Sequence, residues 1–206
     1  MTEFLPRRVA CAIGIALALS ACSGSTSGGG GSYGSGDPSL TAPNPGGGTA
    51  NPFLADGQAV LHALDAIEAK SGKPLRVTSM EADTVNGMMV NVQEPSNHVN
   101  VDGYKIAPDG SMTGPTPVKV MSLDGGPITA AEVDRQAFDP RAIGWARLTQ
   151  TVKDAIVQSK SPDARVANWE IDGVGHDDKR FIYLDAARSR PVAEVKPDLS
   201  IVSVRF

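Results

Sequence analysis

The sequence predicts an α+β domain of two tandem repeats, in which each repeat packs one helix on an antiparallel sheet of three to four strands. Two observations lead to this fold class. Segments of helical periodicity alternate with runs of extended segments, in the order helix, strands, helix, strands. The second half of the chain also repeats residues of the first half at a constant offset. A helix on an antiparallel sheet is a stable two-layer arrangement for such a unit.

Residues 1–21 predict an export signal that the mature chain loses. Arg7 and Arg8 precede an apolar run over residues 9–19, and small residues follow it. A permanent transmembrane helix needs about 20 apolar residues, so this run is too short to be one. The segment is therefore not expected to take part in the fold.

The end of the signal carries a short motif that predicts cleavage and lipid attachment. Leu19-Ser20-Ala21-Cys22 resembles the lipobox of bacterial lipoproteins. The resemblance implies a diacylglyceryl group on the Cys22 sulfur, cleavage before Cys22, and acylation of the new amino terminus by a fatty acid such as palmitate. An ordinary cleavage site with an incidental cysteine is the alternative. In many lipoproteins an Asp directly after the lipidated cysteine retains the protein at an inner membrane. Here Ser23 follows Cys22, so an outer membrane is favoured if the source has one.

Residues 22–52 predict a disordered tether. Ser, Gly, Thr, Pro and Asn fill most of the segment, so it buries too little apolar surface to offset the entropy of ordering. A Gly/Ser chain of this length reaches roughly 30 Å. The segment contains a Gly-x-Ser-x-Gly pattern at residues 30–34, but neither a strand nor a helix flanks it, so we do not interpret it as a nucleophile elbow.

Composition excludes several function classes. The two cysteines are Cys11, in the signal, and Cys22, so the mature domain has no disulfide and no thiolate. The formal net charge is −4, and removal of the signal makes the chain more acidic. An acidic chain is a poor partner for phosphate backbones, which argues against nucleic acid as a ligand. The lipid anchor, rather than surface charge, must hold the protein at a membrane.

Repeat 1 covers residues 53–126. Val60, Leu64 and Ile67 recur at helical spacing, and Ser71-Gly72 ends the run. Strands are predicted over residues 75–82, 87–93, 98–107 and 118–123. Residues that favour turns lie at 108–110 and 124–127, on either side of the last of these strands.

Repeat 2 covers residues 127–206. Thr129 and Glu132 predict a capping box for a short linking helix. A second long helix is predicted from Asp139-Pro140, with Trp145 and Leu148 on its apolar stripe. Strands are predicted over residues 165–171, 180–185, 191–195 and 201–206.

A shift of 89 positions superimposes parts of the two repeats. It places residues 65–67 on 154–156, both Asp-Ala-Ile, and residues 76–77 on 165–166, both Arg-Val. It also places Glu81 on Glu170, Asp83 on Asp172, and the Pro-Asp turn at 108–109 on that at 197–198. Duplication is the direct interpretation, and coincidence is the alternative.

Three of these features carry a resemblance to known families. They are Phe138-Asp139-Pro140 before a helix, the strand with Trp169-Glu170-Ile171-Asp172, and the Pro-Asp turn near the end of each unit. The arrangement resembles tandem PepSY-like repeats and, more loosely, the duplicated helix-on-sheet unit of the β-lactamase inhibitor protein. Such a resemblance implies a small secreted or tethered module that binds or restrains other proteins without catalysis.

The sequence predicts no catalytic residue, metal site or cofactor. His62, His98 and His176 lack partners at the spacing of a triad or a zinc site. We interpret the matched acids at 81 and 170, with those at 83 and 172, as outward strand residues and turn formers.

A partner contact is predicted instead, through Phe181 and Tyr183, with His176 on the neighbouring hairpin. The run 181–184 is apolar on both alternating faces, so one face packs in the core or between repeats, or meets a partner.

Three functions follow, in decreasing order of support. The first is a non-catalytic protein-binding or inhibitory module, held at the cell envelope by its lipid, whose partner is an envelope protein. The second is a structural lipoprotein that self-associates through a strand edge. The third is a small-ligand carrier or an enzyme. Nucleic acid is not an expected partner of any of them.

Overall fold

The computed structural model describes residues 51–120, 122, 126–173 and 179–206. The first half contributes strands β1 Val77–Asp83, β2 Gly87–Gln93, β3 Val101–Ile106 and β4 Met112–Val118. The second half contributes β5 Arg165–Asp172, β6 Lys179–Asp185, β7 Val192–Val195 and β8 Ile201–Arg205. These strands form one sheet in the order β4-β3-β2-β1-β5-β6-β7-β8.

Each half of the sheet is a four-stranded antiparallel meander, and the two meanders join between β1 and β5. The predicted α+β class is confirmed, but the sheet is larger than predicted because all eight strands belong to it. The first strand of each meander has one edge without a neighbour from its own half. Pairing these two edges satisfies backbone groups that would otherwise face solvent.

Three α-helices lie within the described residues: α1 Gly57–Ser71, α2 Ala130–Gln136 and α3 Leu148–Gln158. The Asp56 carboxylate accepts a hydrogen bond from the Gln58 amide at 2.8 Å and caps α1. Gly72, with φ of 96°, ends this helix. The predicted capping box of α2 is confirmed, since the Thr129 and Glu132 side chains each accept a hydrogen bond from the other's backbone amide.

Helices α1 and α3 pack on the same face of the sheet. Their buried side chains join those of both meanders in one hydrophobic cluster. Trp145 and Trp169 lie within it, with ring centroids 5.4 Å apart. The core is therefore continuous across both halves. None of the described helices is long and apolar enough to cross a membrane.

The last strand of the first half differs from its prediction. A strand was expected over 118–123, whereas β4 spans Met112–Val118. Gly114, Pro115 and Pro117 argue against a strand in the sequence, because proline donates no hydrogen bond to a neighbour. Since β4 lies at the edge of the sheet, proline is tolerated there.

The second long helix begins later than predicted. Short 3-10 turns at Pro140–Ala142 and Trp145–Arg147 precede α3, which starts at Leu148. Gly144 separates the turns, and its amide donates to the Pro197 carbonyl at 2.9 Å. A β-carbon on Gly144 would lie 2.6 Å from the Asp198 carbonyl oxygen. This close contact with the β7–β8 turn holds the segment away from regular helical geometry.

Candidate functional site

The sheet face opposite α1 and α3 is the candidate site, and we call it the open face. Side chains alternate between the two faces of a strand, so the neighbours of buried core residues point to the open face. In β1, for example, Met80 and Ala82 enter the core. The open face has at its centre Ser79, Glu81, Asn91, Glu170, Phe181 and Tyr183.

Helix α2 covers only one end of the open face. Phe138, after the helix, pairs with Val77 at the start of β1 through two backbone hydrogen bonds of 3.0 and 2.9 Å. A β-carbon on Gly173, after β5, would lie 1.8 Å from the Gln136 carbonyl oxygen. Val133 of α2 is completely buried. The helix is thus seated where β1 begins and β5 ends, and the described side chains at the centre of the face, such as Glu81 and Glu170, remain partly exposed.

An open groove of about 370 Å³ lies beside α2. Its floor is formed by β1, β2 and β5, and its lining includes Ser79 and Asn91, whose side chains bond to each other at 2.9 Å. Gln136 and residues 118–120 also line it. Lys119 is the one cation among its described lining residues, and Glu81, Glu170 and Asp172 are its carboxylates. The groove is therefore polar and acidic.

Two of those carboxylates face each other across the centre of the sheet. Glu81 of β1 is the direct register partner of Glu170 of β5, and Ser79 is the partner of Asp172. Burial, together with the charges of Glu170 and Asp83, raises the pKa of Glu81. Burial and the neighbouring carboxylates therefore disfavour the charged form of Glu81.

An aromatic pair lies next to Glu170. Phe181 of β6 is its register partner, and the Phe181 and Tyr183 rings are 6.1 Å apart. The Tyr183 hydroxyl donates a hydrogen bond to the Glu170 carboxylate at 3.4 Å. Burial and the Glu170 charge raise the pKa of Tyr183. Both aromatic side chains are half-buried, so part of each ring is accessible to a partner.

Other polar clusters of the described residues hold the structure together. The His98 Nδ1 lies 2.8 Å from the Asp134 carboxylate, which also accepts from Gln93 at 2.7 Å, and these contacts fasten the β2–β3 connection to α2. His62 is exposed on α1. Over the described part of the chain, no group of three or more His, Cys, Asp or Glu side chains could hold a metal ion.

The predicted contact residues are partly brought together. Phe181 and Tyr183 lie side by side on the open face, while their neighbours Ile182 and Leu184 enter the core. His176 and Cys22 lie outside the described residues. From the sequence, Glu81 and Glu170 were predicted only as outward strand residues and not as part of a site. The sequence held one signal for this pair. The shift of 89 positions that superimposes the two repeats places Glu81 on Glu170, and the sheet makes these two residues register partners.

The architecture thus defines a helix-on-sheet α+β protein with one open face, and comparisons with known proteins agree at the level of the fold. No known protein family matches the sequence. No curated protein matches it either. Among solved structures, the chain is similar to a candidate lipoprotein from Clostridium difficile 630, with a TM-score of 0.50 and 17% identity. The match covers 71% of this chain and 91% of that one, so the two proteins share a fold.

Proposed function

We propose that this chain is a bacterial lipoprotein, anchored at the cell envelope through Cys22, whose domain binds and restrains another envelope protein without catalysing a reaction. The lipobox-like sequence that ends at Cys22 supports the anchor. The shared fold with a protein described as a candidate lipoprotein is consistent with it. An outer membrane is the favoured location if the source has one.

The open face is the observation that carries the binding function. A helix layer covers one side of the sheet, and the centre of the other side offers a groove, two half-exposed aromatic rings and polar side chains. Aromatic residues that combine a large apolar area with a polar tip are enriched at protein interfaces. A continuous sheet face also provides a rigid platform on which such groups keep fixed positions.

The first described residue, Asn51, lies at the β1–β2 turn. The Asn51 amide donates to the carbonyls of Asp83 at 2.6 Å and Gly87 at 3.0 Å, which bracket the β1–β2 turn. The groove lies toward the opposite end of β1, around Ser79. Four residues of strand separate these points by about 13 Å. Asn51 therefore enters the domain away from the part of the groove around Ser79.

We further infer that the two halves are PepSY-like tandem repeats that arose by duplication. Each half has an α-helix followed by a four-stranded meander. The pairing of Glu81 with Glu170 supports this inference, because a sequence offset of 89 makes these residues equivalent, and the sheet makes them direct partners. Such self-pairing of equivalent positions is what a local two-fold axis between repeats requires.

Chemical crosslinking followed by affinity capture tests the binding function. The mature full-length chain, in mild detergent, serves as bait for envelope proteins. Replacing Phe181 and Tyr183 together by serine is expected to lower recovery of the specific partner at least about tenfold, since buried interface aromatics commonly contribute 2 kcal/mol or more. Val157→Ser, at a 76% exposed apolar position on α3, is the matched control. Unchanged recovery with the double variant would contradict the proposal.

A second candidate function, self-association as an assembly lipoprotein, is favoured by the unequal edges of the sheet. Edge strand β4 carries Pro115 and Pro117, which block strand addition. The described part of edge strand β8 contains no proline, and its Val202 is 53% exposed. Phe206, next to this strand, is 73% exposed. Two copies could therefore pair through β8 to extend the sheet.

A new cysteine on β8 tests this alternative. The lipid on Cys22 would leave Val202→Cys as the one free thiol of the mature chain. If β8 pairs with β8 of a second copy, oxidation in the envelope should link a large share of the chains as disulfide dimers, detected on non-reducing gels. Val157→Cys should remain monomeric as the control. Equal dimerisation of both variants, or none of either, would remove support for the alternative.

A further inference from the structure

The partner's chemistry can be inferred from the charges at the centre of the open face, if the proposed function holds. We propose that the groove receives an arginine side chain of the partner protein, with its guanidinium between Glu81 and Glu170 and one flank against the Phe181–Tyr183 pair.

Within the part of the chain that the structure describes, no cationic side chain forms an ion pair with Glu81 or Glu170. Like charges directly opposite each other in an antiparallel sheet destabilise it. The hydrogen bond to Glu170 comes from the neutral Tyr183 hydroxyl. Arg180 does not face the pair, because its register partner is Ile171, on the core face. A cation from outside would offset the repulsion.

The groove around the pair fits a long cationic side chain. Its carboxylates outnumber its single described cation, Lys119. Its volume of about 370 Å³ and its open shape allow a side chain to enter from solvent. The pKa of Glu81 is raised by burial first and then by the charge of Glu170, so the two carboxylates act on each other across the strand pair. Charge complementarity therefore favours a basic partner segment over an acidic or neutral one.

Arginine suits the site better than lysine does. Its planar guanidinium offers five donors, so it can bond to both carboxylates at once, and its faces stack on aromatic rings. The site offers both carboxylates and aromatic rings. Phe181 is the register partner of Glu170, and the Tyr183 hydroxyl is hydrogen-bonded to the Glu170 carboxylate. A lysine ammonium would gain the charge attraction but not the stacking of a flat cation.

Peptide binding tests this inference. The probe is a fluorescent, end-capped octapeptide of alternating Arg and Leu, titrated onto the mature full-length chain in mild detergent and followed by anisotropy. Counterparts with Lys or Glu in place of Arg are titrated in parallel. We expect the Arg peptide to bind most tightly, the Lys peptide more weakly and the Glu peptide not at all, with affinity falling as salt is added.

Matched variants assign the binding to the glutamate pair. Glu81→Gln combined with Glu170→Gln should raise the dissociation constant of the Arg peptide at least about tenfold, the loss expected for hydrogen bonds to a charged group. Asp154→Asn, which removes one charge from α3 on the helix side, should change it less than twofold. Failure of the Arg peptide to bind, equal binding of the Glu peptide, or equal binding by the double variant would overturn the inference.

A thermal readout separates a binding role from a structural one. Because Glu81 faces Glu170, Glu81→Gln should raise the melting temperature of the mature chain by about 2 °C while it weakens peptide binding. A lower melting temperature would mean that Glu81 serves the fold, and would contradict the inference. If charge variants have no effect while Phe181→Ser with Tyr183→Ser still abolishes partner capture, the inference fails and the proposed function stands.

Discussion

Replacing Trp169 by alanine should lower the melting temperature of the domain by about 8–16 °C. Trp169 is 2% exposed and lies on β5, the strand that joins the two halves of the sheet. Its ring packs against Trp145, and its indole N–H donates to the Phe53 carbonyl at 2.7 Å. Truncation of such a side chain costs about 3–5 kcal/mol, a large part of the 5–15 kcal/mol that stabilises a typical domain.

Circular dichroism melts of the mature chain measure this effect. Val157→Ala, at an exposed position of α3, should change the melting temperature by less than about 2 °C and serves as the control. Trp169→Phe should give an intermediate loss, because it keeps a ring but leaves the Phe53 carbonyl without its donor. A shift below about 2 °C for Trp169→Ala would contradict a single core that spans the β1–β5 junction.

Replacing Cys22 by serine should release the protein from membranes. Stable attachment needs two or more acyl chains, and the serine variant would carry none at this position. The apolar run at 9–19 is too short to act as a permanent transmembrane anchor in their place. Most of the variant is therefore expected in the soluble fraction after lysis and ultracentrifugation, whereas the unchanged protein should sediment with membranes.

The other cysteine supplies a matched control for the anchor. Cys11→Ser removes a thiol from the apolar run of the signal, so it should leave both membrane attachment and the lipid mass on Cys22 unchanged. Mass spectrometry of the mature amino-terminal peptide reads out the lipid directly. Retention of Cys22→Ser in the membrane fraction, or an unmodified Cys22 in the unchanged protein, would contradict the lipoprotein proposal.

Local features of the fold were predictable because they depend on neighbouring residues. The apolar spacing of Val60, Leu64 and Ile67 identified α1, and the Thr129–Glu132 pair identified the start of α2. Both signals act within one or two helical turns. The prediction misplaced β4 because its prolines argue against a strand in the middle of a sheet. They are tolerated because β4 is an edge strand, and which strand lies at the edge depends on the whole sheet.

The joining of the two meanders could not be read from local pattern. Alternation in β1 and β5 shows which side chains face the core, but the same alternation fits two separate sheets as well as one. For the same reason, Glu81 and Glu170 read as ordinary outward residues until the β1–β5 register placed them opposite each other. Phe181 and Tyr183 could be placed on the same side of a strand because they are two residues apart within β6, whereas their role in partner binding stays a prediction.

A photo-crosslinking amino acid at position 183 tests the central proposal most directly. It is introduced into the full-length chain in living cells, with position 157 on α3 as the control. If the open face binds another envelope protein, irradiation should give one discrete, heavier adduct from position 183 and none from position 157, and Glu81→Gln with Glu170→Gln should reduce it. No adduct from position 183, or equal adducts from both positions, would contradict a protein-binding role for the open face.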